Sequence, residues 1–386
     1  MKSQSKTLKV LDLFSGCGGM SLGLSWAGDG KVFQSIGALD IWESACRTYA
    51  ANNLIEPNIG GVSKKTVNQI LDKSGDVDVV VGGPPCQGFS TSGKRALSDP
   101  RNKLVRGFFD AVETVQPRGF IMENVSGFTT FQDGKILKEV RERAENLGFH
   151  VSAGILLASR VGVPQRRRRF FLVGSRDSKA ILPSDSGNDI SHNKWLDCDQ
   201  RDDAEFEVVT FDEATSDLPP LKLPGHSVSE YLHNPQNSFQ RQMRLGRDNK
   251  TIRALSLHSS SKHSRDFIEM MSFIKQGESA RDPEVMKRMP RRLRPTSGFS
   301  NSYSRIRGDL PAPTITRNFT TPSSANCIHP RDNRALSVRE GARCQSFPDS
   351  FEFLGTSSDI RLQIGNAVPP LLAKAIGESL LNSFFD

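Results

Sequence analysis

The stretch LKVLDLFSGCGGMSLGLSWAG, residues 8–28, reads as three pieces in sequence. LKVLDLF is a short buried strand, GCGG is a turn, and MSLGLSWAG continues as a helix. A strand that passes through glycines into a helix opens a βαβ unit, and ligands of such folds gather at the carboxyl ends of parallel strands. Gly16 and Gly18 permit a tight turn and a close approach of backbone to ligand. The third glycine of G-x-G-x-x-G is absent, since Ser21 holds its place. A second strand, VFQSIGAL (32–39), ends at Asp40, where a carboxylate can take two ribose hydroxyls. The combination suits an adenosine-containing ligand with no demand for pyrophosphate, such as S-adenosylmethionine. A purely structural turn is the alternative reading.

The alternation continues. WESACRTYAANN is helical, and DVDVVVGG (76–83) is a strand whose consecutive β-branched residues imply burial on both faces. FFDAVETVQ is helical, GFIMENV (119–125) a strand, and GKILKEVRERAENLG (134–148) an amphipathic helix closing on Gly148. HVSAGILLA and RRFFLVGS supply further strands. This rhythm predicts an α/β fold with a doubly wound, largely parallel sheet. After about Ser175 the βα rhythm stops: 177–207 is acidic and aperiodic, and 208–330 mixes short apolar pieces with Pro, Ser, Asn and Arg. Order returns at RALSVREGARCQSFPDSFEF (334–353) and at a final helix, PPLLAKAIGESLLNSFF. The expected division is a catalytic domain at 1–176, a smaller irregular inserted domain at 177–330, and a hinge with a return to the first domain at 331–386.

The chain has 386 residues, enough for two domains, with 36% hydrophobic and 24% charged residues. No apolar run reaches the ~20 residues that span a bilayer, and MKSQSKTLKVLDLF enters a strand without a signal-peptide core. A cytoplasmic protein is expected. Six scattered cysteines form no CxxC pair, so neither disulfides nor a metal site is expected. A net charge of +8 permits a polyanionic partner. Lys287, Arg288, Arg291, Arg292, Arg294, Arg305, Arg307 and Arg317 crowd one segment, which taken alone reads as a solvated face.

GGPPCQGFST (82–91) places Cys86 directly after two prolines. Neither helix nor central strand accommodates it, because each proline lacks an N–H and restricts its predecessor. A lone cysteine is more often a buried inert thiol than a nucleophile. Two prolines before it and the ENV segment (123–125) downstream favour the nucleophile.

With PPCQGFS in view the chain resembles the DNA (cytosine-5)-methyltransferases of the bacterial restriction–modification type. Six blocks stand in that family's order: DLFSGCGG, GGPPCQGFS, MENV, QRRRRFFLVG, RALSVREGARCQSFPDSF and QIGNAVPPLLAKAIG. They and the segments between them account for everything except the inserted region. The resemblance implies the methyltransferase fold, S-adenosylmethionine as cofactor, no metal, and double-stranded DNA as substrate. It also implies a monomeric enzyme paired with a restriction endonuclease acting on the same site.

By the same resemblance Cys86 is the nucleophile that adds to C6 of a flipped-out cytosine, Pro84 and Pro85 hold its backbone, and Gln87–Ser90 begin a loop that closes over DNA. Glu123 acts at N3, with Asn124 bracing the neighbouring turn. Gln165, Arg167 and Arg169 match a Q-x-R-x-R block, Arg169 being expected near O2. In a strand, Arg167 and Arg169 would share one face. Phe14, Gly16, Gly18, Gly19, Asp40, Pro84, Asn366 and Ala367 match cofactor positions, and Ile41 or Trp42 packs on adenine. The family's second-strand acid is usually glutamate, and its acid before the third strand has no counterpart in PNIGGVSKKT (57–66). The RALSVREGARCQSFP block is implied to be chiefly structural.

These residue types suit the chemistry. C5 of cytosine becomes nucleophilic only after a thiolate adds at C6, and a carboxylic acid at N3 with a cation at O2 stabilises the charge that addition creates. A stacked base cannot be reached, so it must leave the duplex. The long insert favours DNA over a tRNA substrate, because reading base edges needs a substantial domain. The intact Cys86, Glu123 and Arg169 set weighs against a silent DNA-binding relative. Ser21 and the lack of a hydride-transfer constellation weigh against a nicotinamide dehydrogenase.

Overall fold

The computed structural model describes residues 7–53, 55–85, 102–183, 208–221, 225–246, 248–298, 300–323 and 326–384. They divide into two compact units. The first takes its described residues from Met1–Val161, Arg168–Asp202 and Val368–Asp386, the second from Gly162–Arg167 and Asp203–Ala367.

In the first unit, β1 (Leu8–Leu13) leads into α1 (Gly19–Trp26), followed by β2 (Phe33–Asp40), α2 (Glu43–Asn53), β3 (Asn58–Ile59) and α3 (Lys64–Ser74). Then come β4 (Val79–Gly82), α4 (Asn102–Val115), β5 (Gly119–Val125), α5 (Lys135–Asn146) and β6 (His150–Leu157). After the two-residue β7 (Gln165–Arg166), which belongs to the second unit, the chain returns as β8 (Arg168–Ser175). The sheet order is β3-β2-β1-β4-β5-β8-β6. The pairs from β3 through β5 are parallel, and β8 runs antiparallel to both β5 and β6. The largely parallel α/β sheet expected from the sequence is therefore present, with its antiparallel pairs at one side.

Burial explains the strand composition. Val79, Val80 and Val81 are each fully buried, as a strand covered on both faces requires. One core gathers Val80, Phe108, Phe120, Phe128, Val140 and Phe170. Phe120 meets Phe109 and Phe149 edge-on at centroid distances of 5.5 and 5.0 Å, the geometry aromatic quadrupoles favour. The closing helix α12 (Pro370–Asn382) packs on α1. It does so closely, because a Cβ at Gly23 would lie 2.1 Å from the Pro370 carbonyl oxygen.

The second unit contains α6 (Phe211–Thr215), α7 (Ser238–Met243), α8 (Arg265–Ser272) and α9 (Pro283–Arg288). It also holds β9 (Ser304–Arg305), β10 (Ala312–Pro313), β11 (Asn326–Ile328), α10 (Val338–Cys344) and α11 (Ser357–Asn366). Beside an apolar cluster of Met270, Met271, Ile274, Val285 and Leu293, the unit buries several ion pairs. Arg343 bridges Asp217 at 3.1 Å and Asp349 at 2.6 Å, and Arg334 grips both carboxylate oxygens of Glu340 at 2.8 and 2.7 Å. Burial alone would raise Glu340, yet Arg334 and His329 hold it well below the usual carboxylate range. Arg334, Glu340 and Arg343 come from the RALSVREGARCQSFP block, and all of its charged side chains are buried.

One member of the basic run turns inward. Arg305 is buried and donates to the carbonyls of Ile274, His329, Asp332 and Met271. Arg288 pairs with Glu278, Arg292 with Asp266 and Glu269, and Arg307 with Asp309. Lys287, Arg288, Arg291, Arg292, Arg307 and Arg317 are exposed, as a solvated face has them, and Arg305 is the buried exception.

Candidate active site

The carboxyl ends of β4 and β5 meet in the first unit. Gly82 closes β4, and Gly83-Pro84-Pro85 carries the chain out of the sheet. A Cβ on Gly83 would sit 3.1 Å from Oε2 of Glu123, so the exit runs directly beside that carboxylate. Asn124, 2% exposed, donates its side-chain N–H to the Pro84 carbonyl at 3.2 Å, while its Oδ1 accepts from the Val125 N–H at 2.8 Å. The amide thereby ties the end of β5 to the prolines. Cys86 and the loop segment Gln87–Ser90 lie outside the described residues.

Glu123 faces Arg169 across the antiparallel β5–β8 pair, with Arg169 Nε 2.9 Å from Oε1. Their side chains are only 13% and 16% exposed, so the pair is largely shielded from water. Burial lowers the Arg169 pKa and Glu123 acts against that fall. Arginine keeps its charge nonetheless. The result is a fixed carboxylate and a fixed cation beside the polypeptide that leads to Cys86.

Arg167 is placed differently. The strand expected to run unbroken through the arginines is interrupted at this residue: β7 pairs with β10, while β8 pairs with β5 and β6. Arg167 is 1% exposed and donates to the carbonyls of Ile315 and Gly365, each at 3.0 Å. Gln165 is also buried, donating to the Cys344 carbonyl and to Gln345 Oε1. Both belong to the second unit, as do Asn366 and Ala367 at the end of α11.

At the carboxyl ends of β1 and β2 the remaining cofactor positions come together. Phe14 is half-buried with φ +56°, and Gly16 and Gly18 also have positive φ. A Cβ on Gly18 would meet Asn53 Nδ2 at 2.7 Å and Tyr49 Cδ2 at 2.9 Å, so only glycine fits. A Cβ on Gly16 would meet nothing within 4 Å, which leaves the turn open on that side. Gly19 begins α1, whose cap supplies no side-chain hydrogen bond. Asp40 accepts the Gly16 N–H on one oxygen and the Trp42 N–H on the other, both at 2.8 Å. A carboxylate has about four lone-pair sites, so acceptor capacity remains for hydroxyls. Ile41 is 75% exposed next to it, and Ile59, paired opposite Asp40 on β3, is 60% exposed.

Two residues that the sequence did not single out complete this site. Among the described residues the buried Ser15 Oγ has no hydrogen-bond partner, a costly arrangement unless a ligand supplies one. Asp12, 1% exposed, lies beneath the turn. Burial, opposed by the Ser21 hydrogen bond and reinforced by Asp40, pushes its carboxyl up to about 7. An open glycine turn, an orphaned hydroxyl and a carboxylate with spare acceptor sites fit an adenosyl amino-acid cofactor. Among the described residues no cluster of His, Cys, Asp or Glu could hold a metal, and no helix is long and apolar enough to cross a membrane.

A largely parallel α/β sheet with these groups at the carboxyl ends of its strands marks a cofactor-binding α/β protein. Residues 8–382 match the model of the C-5 cytosine-specific DNA methylases, and the chain belongs to that family of DNA cytosine-5 methyltransferases, which use S-adenosylmethionine. It is 34% identical to Type II methyltransferase M1.HphI of Haemophilus parahaemolyticus, over 97% of this chain and 87% of that one. It is also 34% identical to Type II methyltransferase M.DdeI of Desulfomicrobium norvegicum, over 97% and 88%. A solved structure from E. coli, of a proposed DNA modification methyltransferase encoded within a prophage, superposes with a TM-score of 0.72. It has 26% identity and covers 98% of this chain and 100% of that one.

Proposed function

We propose that this enzyme methylates C5 of one cytosine within a specific double-stranded DNA sequence, through covalent addition of Cys86 to C6 of a flipped-out base. The observation that carries the mechanism is the shielded Glu123–Arg169 pair beside the Gly83–Pro84 exit toward Cys86. The Cys86 thiolate forms the S–C6 bond, and the displaced electron pair moves through the ring toward N3 and O2. Glu123 supplies the proton or strong hydrogen bond at N3, and Arg169 stabilises charge at O2. C5, now enamine-like, takes the methyl group. Loss of the C5 proton to a base then expels the thiolate and restores aromaticity.

S-adenosylmethionine supplies the electrophilic methyl group when bound. Gly16, Gly18, Gly19 and Ser15 would hold its amino-acid end, Asp40 its ribose, and Ile41 with Ile59 or Trp42 its adenine. Phe14, Pro84, Asn366 and Ala367 complete the proposed cofactor set. Arg167 acts in this reading as a positioning residue, since its guanidinium donates to two backbone carbonyls. The second unit is the proposed reader of DNA sequence, phosphate contacts placing it and base contacts specifying the site. The Type II relatives support a role in protecting DNA from an endonuclease of the same specificity, and the proposed location is the cytoplasm. The protein is proposed to act as a monomer.

Bisulfite sequencing of DNA from cells expressing the protein tests the activity and names the site. One short sequence should carry a protected cytosine at every copy, and Cys86→Ala should abolish the protection. Absence of any protected cytosine despite folded, expressed protein would refute the reading.

A further inference from the structure

Ser21 occupies the place where a pyrophosphate-binding turn has its third glycine, and its side chain is 2% exposed. Its Oγ donates to Asp12 Oδ2 at 2.6 Å and lies 2.9 Å from the Tyr49 hydroxyl. Tyr49 is fully buried. A serine carries a single O–H, so while Ser21 donates to Asp12 the Tyr49 hydroxyl must donate to Ser21. Three elements, β1, α1 and α2, are thus joined by one directed chain of hydrogen bonds. Tyr49 acts twice, because its ring edge also lies against Gly18, at the position a Cβ there would have to enter. One side chain therefore sets the backbone at Gly18 and, through Ser21, the first turn of α1. Asp40 secures the other side of the turn through the Gly16 N–H.

A buried polar trio is no more favourable than apolar packing of the same volume, so its gain lies in geometry. We infer that Asp12, Ser21 and Tyr49 form a brace that presets the glycine turn, making them positioning residues for cofactor binding. The inference rests on the S-adenosylmethionine reading of that turn. The groups facing Asp12 are Asp40 from β2, Tyr49 from α2 and Cys17 in the turn, with Ser35 reaching the Tyr49 hydroxyl. Asp12 titrates near neutrality, and its protonation on Oδ2 would reverse the direction of the chain. Its folded pKa stands above the ordinary 3.8, so the stability it contributes is complete below about pH 4 and is lost as pH rises through about 7. Asp12→Asn should remove that slope.

The test uses the full chain. S-adenosylmethionine affinity is measured by calorimetry for wild type, Ser21→Ala, Tyr49→Phe and Ser21→Thr. Amide hydrogen exchange over 16–22 is measured without cofactor. Ser21→Ala and Tyr49→Phe should each weaken the cofactor about tenfold, roughly one buried hydrogen bond. Both should accelerate exchange over 16–22 and leave β5 and β8 unchanged, and Ser21→Thr should restore affinity. Unchanged exchange, or faster exchange with undiminished affinity, overturns the brace. Tyr49→Phe keeps the test readable where Ser21→Ala does not fold. A wild type that binds no S-adenosylmethionine would refute the cofactor reading, while exchange would still report on the brace.

Discussion

Glu123→Gln is the substitution whose consequences the site fixes most closely. The replacement keeps volume and shape but removes the negative charge and the proton that N3 requires. General acid assistance of this kind is worth about 10²–10⁴ in rate, or roughly 3–5 kcal/mol of barrier. It also leaves Arg169, 16% exposed, without the carboxylate at 2.9 Å. Breaking a fully buried pair costs about 3–5 kcal/mol, and the residual exposure of both side chains places this loss nearer 2 kcal/mol. Single-turnover transfer of labelled methyl to cognate duplex should therefore slow by at least about a hundredfold. Cofactor affinity and DNA binding should stay within about threefold, since Glu123 acts on the transition state rather than on uniform binding. A variant within about tenfold of wild type would refute the assignment of N3 to Glu123.

Asn124→Ala removes the tie to the Pro84 carbonyl; single-turnover transfer should fall about tenfold with a stability loss near 1 kcal/mol. An unaltered rate would show that the prolines hold their place without it. Arg343→Met removes the nearest cation from two buried carboxylates, leaving Asp217 with Arg244 at 3.5 Å and Asp349 with Arg339 at 3.3 Å and the Tyr231 hydroxyl, and should cost about 3 kcal/mol in urea unfolding. A loss under about 1 kcal/mol would contradict the reading of Arg343 as the cation that holds both carboxylates.

The first unit was legible because its strands are sustained by local apolar patterning. GFIMENV corresponds to β5 residue for residue, and the valine run of 76–83 contains β4. The helix α3 has a weak signal, since only Val67 and Ile70 on it are buried, Leu71 is half-buried and the rest of KKTVNQILDKS is polar. Glu123 and Arg169 were named from motif, and the structure joins them through the β5–β8 register, which no local pattern encodes. Arg167 shows the limit most clearly. Period-2 alternation put it on Arg169's face, yet its conformation is set by carbonyls at positions 315 and 365, far along the chain. Arg305 and Arg292 in the basic run likewise take their partners from distant segments, and Ser21 gained significance only once Tyr49 and Asp12 stood beside it.

The central claim concerns Cys86, and duplex carrying 5-fluorocytosine at the cytosine found by bisulfite sequencing tests it most directly. Fluorine at C5 cannot leave as a proton does, so the S–C6 bond should persist after methyl transfer. Peptide mass spectrometry should place a denaturation-resistant DNA adduct on Cys86, formed only with S-adenosylmethionine present. An adduct on another cysteine, or no adduct from an enzyme that methylates unmodified duplex, would contradict the account.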